Sequence, residues 1–128
     1  MSGPRRLAAT ALAAVALSVP TATAAHAAAD SATSIQAQVR TATGLNATQY
    51  SCLSYIVEHE SGWNPQATNA GSGAYGLFQA LPASKMASAG ADYRTNPVTQ
   101  ARWGVSYMNS RYGSPCGAAA FWRSHHWY

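Results

Sequence analysis

Paired start and stop signals for helices constrain this fold more than any other feature of the sequence. Asn46 precedes one segment of helical apolar periodicity and Gly62 follows it, while Asn96-Pro97 and Gly113 bracket a second. An asparagine side chain caps the amides of a first helical turn, and glycine readily takes the left-handed conformation that ends a helix. Stretches of β-branched alternation are missing from the sequence. The chain is therefore predicted to be mainly α-helical.

The remaining helix boundaries follow from the same kinds of signal. Gln49, three residues after Asn46, predicts a capping box at that helix start. Further helices are predicted from Ile35 to Thr43 before Gly44, from Pro82 to about Ala89 before Gly90, and from Ser114-Pro115 to about Trp122. Trp103 and Tyr107 share the second face of the 97–112 helix, which favours core packing, with sugar contact as the alternative.

The first 29 residues have the plan of a secretory signal peptide. Two arginines precede an apolar run from Leu7 to Val19 that is too short to span a bilayer, and Ala-x-Ala sites follow near Ala27 to Ala29. The alternative is an N-terminal core helix. We therefore divide the chain into a signal peptide (1–29), a short N-terminal segment that could be helical (30–45) and one domain (46–128). The mature protein is expected to be exported and not membrane-spanning.

Charge and cysteine content narrow the classes of function. Without the signal segment, six basic and four acidic side chains remain, a formal net charge of +2 with no basic stripe, so nucleic-acid binding is not expected. Cys52 and Cys116 are the only cysteines. In an oxidising compartment they are expected to form a disulfide, which would contribute about 4 kcal/mol in the chain-entropy model. Two buried free thiols are the alternative.

Glu60 is a carboxyl in an unusual place. At about 100° per residue, one stripe of the 47–61 helix contains Leu53, Ile56, Val57 and Glu60. Glu58 lies on the opposite side. A carboxyl on an apolar stripe has its charged form disfavoured and its pKa raised, which suits a general acid near neutral pH. The alternative is a helix-end carboxylate bound by loop amides or by an arginine such as Arg94 or Arg102.

The long connection from Trp63 to Leu81 is rich in glycine, which in a compact domain indicates a functional loop. Its glycines permit positive φ and close backbone approach: Gly71, Gly73 and Gly76. Tyr75 and Phe78 offer ring faces on which a sugar can stack, and Gln79 offers an amide for hydroxyl or N-acetyl groups. The run lacks the Lys-Ser/Thr ending of a phosphate-binding loop.

Two motifs together resemble a known family. Glu-Ser-Gly-Trp-Asn-Pro at 60–65, followed by Ser-Gly-Ala-Tyr-Gly-Leu-Phe-Gln at 72–79 and then Pro82, is similar to the lysozyme-like domain of soluble lytic transglycosylases. The likeness is greatest to the compact branch labelled aggregation-promoting-factor C-terminal-like, and it covers roughly Asn46 to Tyr128. It implies a small lysozyme-like single domain with a glycine-rich substrate loop, acting on peptidoglycan glycan strands.

The resemblance also implies roles for particular residues. Glu60 takes the place of the catalytic acid/base. The family's groove-lining segment corresponds to Gly76, Leu77, Phe78 and Gln79, with Phe78 in place of the family's methionine. We add Tyr75, for its ring face, and Ser61 to the expected substrate-binding residues; Ser61 is expected to anchor the loop by its hydroxyl and not to act as a nucleophile. Many members carry an Ala-Tyr-Asn motif whose tyrosine helps to hold the catalytic glutamate. Here that region is Ala119-Ala120-Phe121-Trp122-Arg123, and Phe121 cannot donate the hydrogen bond of a tyrosine.

The inventory of acids favours a mechanism with one carboxyl group. Glycoside hydrolases usually use two, but Glu58 faces away, Asp30 lies at the mature terminus and Asp92 falls in a turn. The resemblance implies a lytic transglycosylase that cleaves the MurNAc–GlcNAc bond and forms a 1,6-anhydro product, and the lack of a second acid agrees with it. A hydrolytic muramidase and a non-catalytic wall-binding or aggregation-promoting module are the alternatives. No cofactor and no metal are expected, since the adjacent His125 and His126 lack a third ligand, and we expect a secreted, cell-wall-associated monomer.

Overall fold

The computed structural model describes residues 22–128, with side chains from Ser31 onward. Most of the predicted signal peptide, residues 1–21, lies outside the described residues. The elements in chain order are α1 (Ala22–Thr43), α2 (Ala47–Ser61), a 3₁₀ helix (Ala83–Ser88), α3 (Pro97–Tyr112) and α4 (Pro115–His125). In this part of the chain no helix is both long and apolar enough to cross a membrane. The protein is a mainly helical single domain, as predicted.

The capping signals mark the helix boundaries correctly. The Asn46 side chain accepts a hydrogen bond from the backbone amide of Gln49 at 2.8 Å, and Gly62 ends α2 with a φ of 58°. Three elements differ from the predictions, and one of them, α4, continues to His125 instead of ending near Trp122. Helix α1 begins at Ala22 rather than at Ile35, because the alanine-rich segment before Ile35 has high helix propensity. The segment after Pro82 forms a short 3₁₀ helix, Ala83–Ser88.

Helices α2 and α4 are joined at two levels and run in the same direction. Cys52 and Cys116 form the predicted disulfide, with their Cα atoms 4.9 Å apart. Beside it, the Gln49 side chain accepts a hydrogen bond from the Cys116 amide at 3.0 Å. The capping box predicted for Gln49 is therefore wrong, because its carbonyl oxygen bonds to α4 instead of its own helix start. Toward their other ends, Glu60 and Trp122 form a hydrogen bond.

The core lies where all four α-helices meet the long loop. Helix α2 packs against α4, and α3 packs against both α1 and α4. Three loop residues, Trp63, Leu77 and Phe78, enter this core and are buried with the apolar side chains of the helices. The other buried members are Val39, Leu53, Ile56, Val57, Ala101, Met108, Ala118 and Ala119. The loop is thus a structural part of the domain and does not lie loosely over it.

Phe78 packs directly on the backbone of α3. A Cβ atom added at Gly104 would lie 2.6 Å from two atoms of the Phe78 ring, which is far inside van der Waals contact. The absence of a side chain at Gly104 is therefore what allows the loop to approach the helix so closely.

We predict that Gly104→Ala destabilises the protein by about 1–3 kcal/mol, the usual cost of overpacking. This outcome opposes helix propensity, which by itself favours alanine. Denaturant unfolding measures the free energy, and Ser106→Ala, at an exposed position of the same helix, is the control. A Gly104→Ala protein as stable as the parent would contradict this packing of Phe78.

Candidate active site

Glu60 lies in the last turn of α2, on the side of the helix that faces the core. Leu53, Ile56 and Val57 on the same stripe are fully buried, Glu60 is partly buried, and Glu58 is exposed. The predicted separation of the two acids is confirmed. Glu60 therefore has its stem among apolar side chains and its carboxyl group at the edge of the core.

Trp122 of α4 holds the Glu60 carboxyl group. Its indole Nε1 donates a hydrogen bond to Glu60 Oε1 at 2.8 Å. Among the described residues no backbone amide and no arginine donates to this carboxyl. Arg94, one of the partners considered from the sequence, lies over the rings of Tyr75 and Tyr93 instead. The alternative of a helix-end carboxylate paired with an arginine is therefore not what the structure shows.

Neighbouring rings position the Trp122 indole. Tyr55 meets it edge-on with ring centroids 5.6 Å apart, and the His59 ring lies 4.6 Å from it. No role was predicted for Trp122 from the sequence. One feature of the sequence could have predicted the hydrogen bond to Glu60: tryptophan, unlike phenylalanine, carries an N–H donor. Trp122 directly follows Phe121 in the region where the resemblance places a tyrosine.

The environment of Glu60 favours its protonated form. Burial raises the pKa of its carboxyl group above the ordinary value of 4.5, while the Trp122 hydrogen bond and the nearby His59 act in the opposite direction. Because the folded protein then holds this proton more tightly than the unfolded chain, Glu60 makes stability fall as pH rises from 4.5 through its raised pKa. A carboxyl group of this kind can supply a proton at a pH where an exposed glutamate is ionised.

Ser61, the neighbour of Glu60, fastens the glycine-rich loop to α2. Its hydroxyl lies 2.8 Å from the Leu77 carbonyl oxygen and 3.0 Å from that of Val57. The loop also carries two isolated bridges that both involve Tyr75, one to Thr68 and one to Ala80. A loop-anchoring hydroxyl thus sets the position of residues 76–79 relative to Glu60.

Gln100, which the sequence analysis did not single out, fixes the same loop from the opposite side. Its buried side chain accepts a hydrogen bond from the Leu77 amide at 2.9 Å. Its amide nitrogen donates to the carbonyl oxygens of Pro65 at 2.9 Å and Tyr93 at 2.8 Å. A Cβ atom at Gly76 would lie 2.7 Å from the Gln100 amide oxygen, so glycine is needed there for both space and its positive φ of 82°.

The other predicted substrate-binding residues are less exposed than the sequence suggested. Leu77 and Phe78 are 0% and 1% exposed, so the prediction that the Phe78 ring stacks on a sugar is wrong. Gln79 turns its amide inward and donates to the carbonyl oxygens of Ala67 and Gly76. Tyr75 is partly buried, and its hydroxyl donates to the Arg94 carbonyl oxygen at 2.6 Å. Within residues 75–79, the side chains of Tyr75 and Gln79 are the ones that remain partly exposed.

Asp92 is held by polar side chains near the start of α3. Asp92 accepts hydrogen bonds from Thr99 at 2.7 Å and from Asn96 at 2.9 Å at the start of α3. These bonds hold the pKa of Asp92 below its usual value. Within residues 31–128 no three His, Cys, Asp or Glu side chains group in a way that could hold a metal ion.

A cavity of about 230 Å³ opens beside the loop. Its wall consists of Phe78, Gln79, Ala80, Leu81, Lys85, Trp103, Tyr107, Arg111 and Tyr128. The Trp103 and Tyr107 rings are stacked, with centroids 5.1 Å apart and planes 20° from parallel. Both rings are partly exposed, so the core packing favoured from the sequence describes them only in part.

Comparison with known proteins gives one match. Residues 38–125 match the family model described as Transglycosylase SLT domain. No curated protein and no solved structure matches the chain.

We predict that Gln100→Leu destabilises the domain by about 3 kcal/mol or more. Each of the three backbone groups left without a partner costs about 1–3 kcal/mol when buried. Gln38→Leu, at an exposed position of α1, is the control for the same chemical change. Thermal and denaturant unfolding measure stability, and hydrogen exchange should show faster exchange of the Leu77 amide. A Gln100→Leu protein with parental stability and exchange would contradict the role of Gln100 in holding the loop.

We predict that Trp122→Phe raises the pKa of Glu60 further, because it removes a hydrogen bond that stabilises the carboxylate while leaving an aromatic ring in place. A ¹³C titration of the glutamate side-chain carboxyl groups measures the shift. Trp127→Phe, at an exposed residue of the same terminal segment, should leave the titration unchanged. An unchanged or lowered pKa in Trp122→Phe would show that the indole does not stabilise the charged form.

Proposed function

The chain belongs to the transglycosylase SLT domain family, and we propose that it is a secreted lytic transglycosylase that uses Glu60 to cleave the MurNAc–GlcNAc bond of peptidoglycan. The family assignment supports a lysozyme-like domain that acts on peptidoglycan. The observation that carries the finer proposal is the partly buried Glu60, bonded by a neutral donor beside the anchored loop. The predicted signal peptide and the disulfide support action outside the membrane.

In the proposed reaction Glu60 acts first as an acid. Its protonated carboxyl group donates a proton to the glycosidic oxygen as the bond from that oxygen to the MurNAc anomeric carbon breaks. The N-acetyl carbonyl oxygen of the substrate stabilises the positive anomeric carbon. Trp122 keeps its hydrogen bond to Oε1 throughout, since an indole N–H can only donate.

Glu60 then acts as a base. Its carboxylate removes the proton of the C6 hydroxyl group, and O6 bonds to the anomeric carbon to close the 1,6-anhydro ring. The leaving sugar keeps the first proton and the C6 hydroxyl group supplies a second one to Glu60, so the enzyme returns to its initial state without water being consumed.

The distribution of the other carboxyl groups supports this one-acid scheme. Retaining glycosidases place a second carboxyl group about 5–5.5 Å from the first, and inverting enzymes about 6.5–9.5 Å. Glu58 is exposed on the far side of α2, and Asp92 is bonded to Thr99 and Asn96 at the start of α3. A muramidase that uses water in place of the C6 hydroxyl is the alternative outcome of the same first step.

The Trp122 hydrogen bond also bears on the non-catalytic alternative. The missing tyrosine of the Ala-Tyr-Asn motif favours a wall-binding module if nothing else holds the catalytic glutamate. Since the Trp122 indole donates to Glu60 at 2.8 Å, the carboxyl group has a hydrogen-bond donor without that tyrosine. We therefore favour an active enzyme over a wall-binding module.

We predict that Glu60→Gln lowers the rate of peptidoglycan cleavage by about 10²–10⁴-fold or more, the usual contribution of general acid–base catalysis. Glutamine can still accept the Trp122 hydrogen bond, so folding and wall binding should be retained. Digestion of purified cell wall followed by mass spectrometry measures release, and Glu58→Gln, at an exposed position, is the control.

The fragment masses separate the alternatives. Products one water lighter than the hydrolysis products, without a reducing end, are expected from the parent enzyme. Reducing ends would indicate a muramidase. Intact wall that still binds the protein would contradict both enzymatic hypotheses, and undiminished turnover in Glu60→Gln would contradict the assignment of Glu60.

A further inference from the structure

The cavity beside the loop has a positively charged wall. Lys85 of the 3₁₀ helix and Arg111 of α3 both line it, and none of its lining residues is acidic. The three acids whose side chains are described have other surroundings. Glu60 accepts from Trp122, Asp92 from Thr99 and Asn96, and Glu58 lines a separate depression beside Arg40. Among the side chains that the structure describes, no aspartate or glutamate therefore lines the cavity beside the two cations.

Aromatic rings hold Arg111 in place. Its Nη1 donates to the Tyr107 hydroxyl at 3.2 Å, and its guanidinium lies 5.8 Å from the centroid of the Trp127 ring. A guanidinium that stacks on aromatic rings loses little conformational freedom when it binds an anion. Several of its N–H donors remain after the single bond to Tyr107, and a carboxylate accepts such donors well.

The same cavity also offers a surface for a sugar ring. Trp103 and Tyr107 are partly exposed, stack on each other and line the cavity together with Lys85 and Arg111. Aromatic rings pack well against the apolar face of a pyranose. Two cations side by side bind a negatively charged group such as a carboxylate. A ligand that carries both features is a sugar with an acidic substituent. In a peptidoglycan strand the muramic acid residue, with its carboxylate-bearing substituent, is such a sugar.

The cavity is continuous with the segment that lies next to Glu60. Residues 78–81 form part of its wall, and the preceding Leu77 is bonded to Ser61. Tyr128 lines the cavity as well, and its hydroxyl donates to the Phe78 carbonyl oxygen at 2.7 Å. A glycan strand that reaches Glu60 along this segment can thus place another of its sugars in the cavity.

We propose that Lys85 and Arg111 form an anion-binding subsite that recognises the carboxylate carried by a muramic acid substituent. This inference rests on the proposed function, because it assumes that the ligand is a peptidoglycan strand. The subsite selects strands by the charge of their substituents, at a place separate from the bond that is cleaved. The carboxylate belongs either to the peptide stem or to the lactyl group itself.

The test measures strand binding in the Glu60→Gln background, so that no ligand is cleaved. Soluble peptidoglycan strands are compared with the same strands after carbodiimide coupling to methylamine, which neutralises their carboxylates. We expect the neutralised strands to bind about three- to tenfold more weakly at low salt, as for two exposed charge pairs. The added substitutions Lys85→Gln and Arg111→Gln should abolish this preference, and higher salt should reduce it.

Matched variants separate charge from structure. Arg40→Gln removes a positive charge on α1, outside the cavity, and should leave the preference intact. Lys85→Arg with Arg111→Lys keeps both charges and should retain most of it. Thermal unfolding checks that each variant is folded. An amidase removes the peptide stems, so that the treated strands keep only the lactyl carboxylate. If these strands still bind tightly, the subsite recognises the lactyl group; if they do not, it recognises the peptide stem.

Two results would overturn the proposal. One is equal affinity of the Glu60→Gln protein for native and neutralised strands. The other is a preference that survives Lys85→Gln with Arg111→Gln. Neither depends on turnover, so a parent protein that fails to cleave wall while showing the preference would contradict the proposed function and leave the subsite supported.

Discussion

The buried side chain of Gln100 is the interaction on which the arrangement of the site depends. Its single amide group bonds to backbone atoms of Pro65, Leu77 and Tyr93, three residues that lie in turns outside the helices. Ser61 contacts the Leu77 carbonyl oxygen from the other side. Leu77 is therefore held at both its amide and its carbonyl, and through it the loop keeps a defined position relative to Glu60. The long, glycine-rich loop is thus fixed at Leu77, the residue that connects it to the end of α2 beside Glu60.

The helices and the placement of Glu60 could be predicted because both depend on local sequence. Caps act within a few residues, and a stripe on α2 follows from its periodicity. The role of Gln100 could not be predicted in this way, since its partners lie 7 to 35 residues away in the chain. The burial of Phe78 likewise depends on Gly104, a contact between a loop and a helix that no local pattern encodes.

The hydrogen bond from Trp122 gives the Glu60 carboxyl group a defined orientation. An indole N–H can donate but cannot accept, whereas a phenol can do both. With Oε1 accepting from Trp122, the proton of the neutral acid belongs on Oε2. In the proposed mechanism this leaves one oxygen to hold the group in place and the other to exchange protons with the substrate. A tryptophan in this position can therefore only donate to the carboxyl group, whereas a tyrosine could also accept from it.

The parallel course of α2 and α4 has an electrostatic consequence. The disulfide pairs the helices near their starts, and Glu60 and Trp122 pair them near their ends. Both helix macrodipoles therefore direct their negative ends toward the Glu60 carboxyl group, with a typical effect of about 0.3–1 kcal/mol for each helix. This field disfavours a negative charge on Glu60, in the same direction as burial. The covalent link between Cys52 and Cys116, at the opposite end of the helix pair, thus helps to hold the two helix ends that raise the pKa of Glu60.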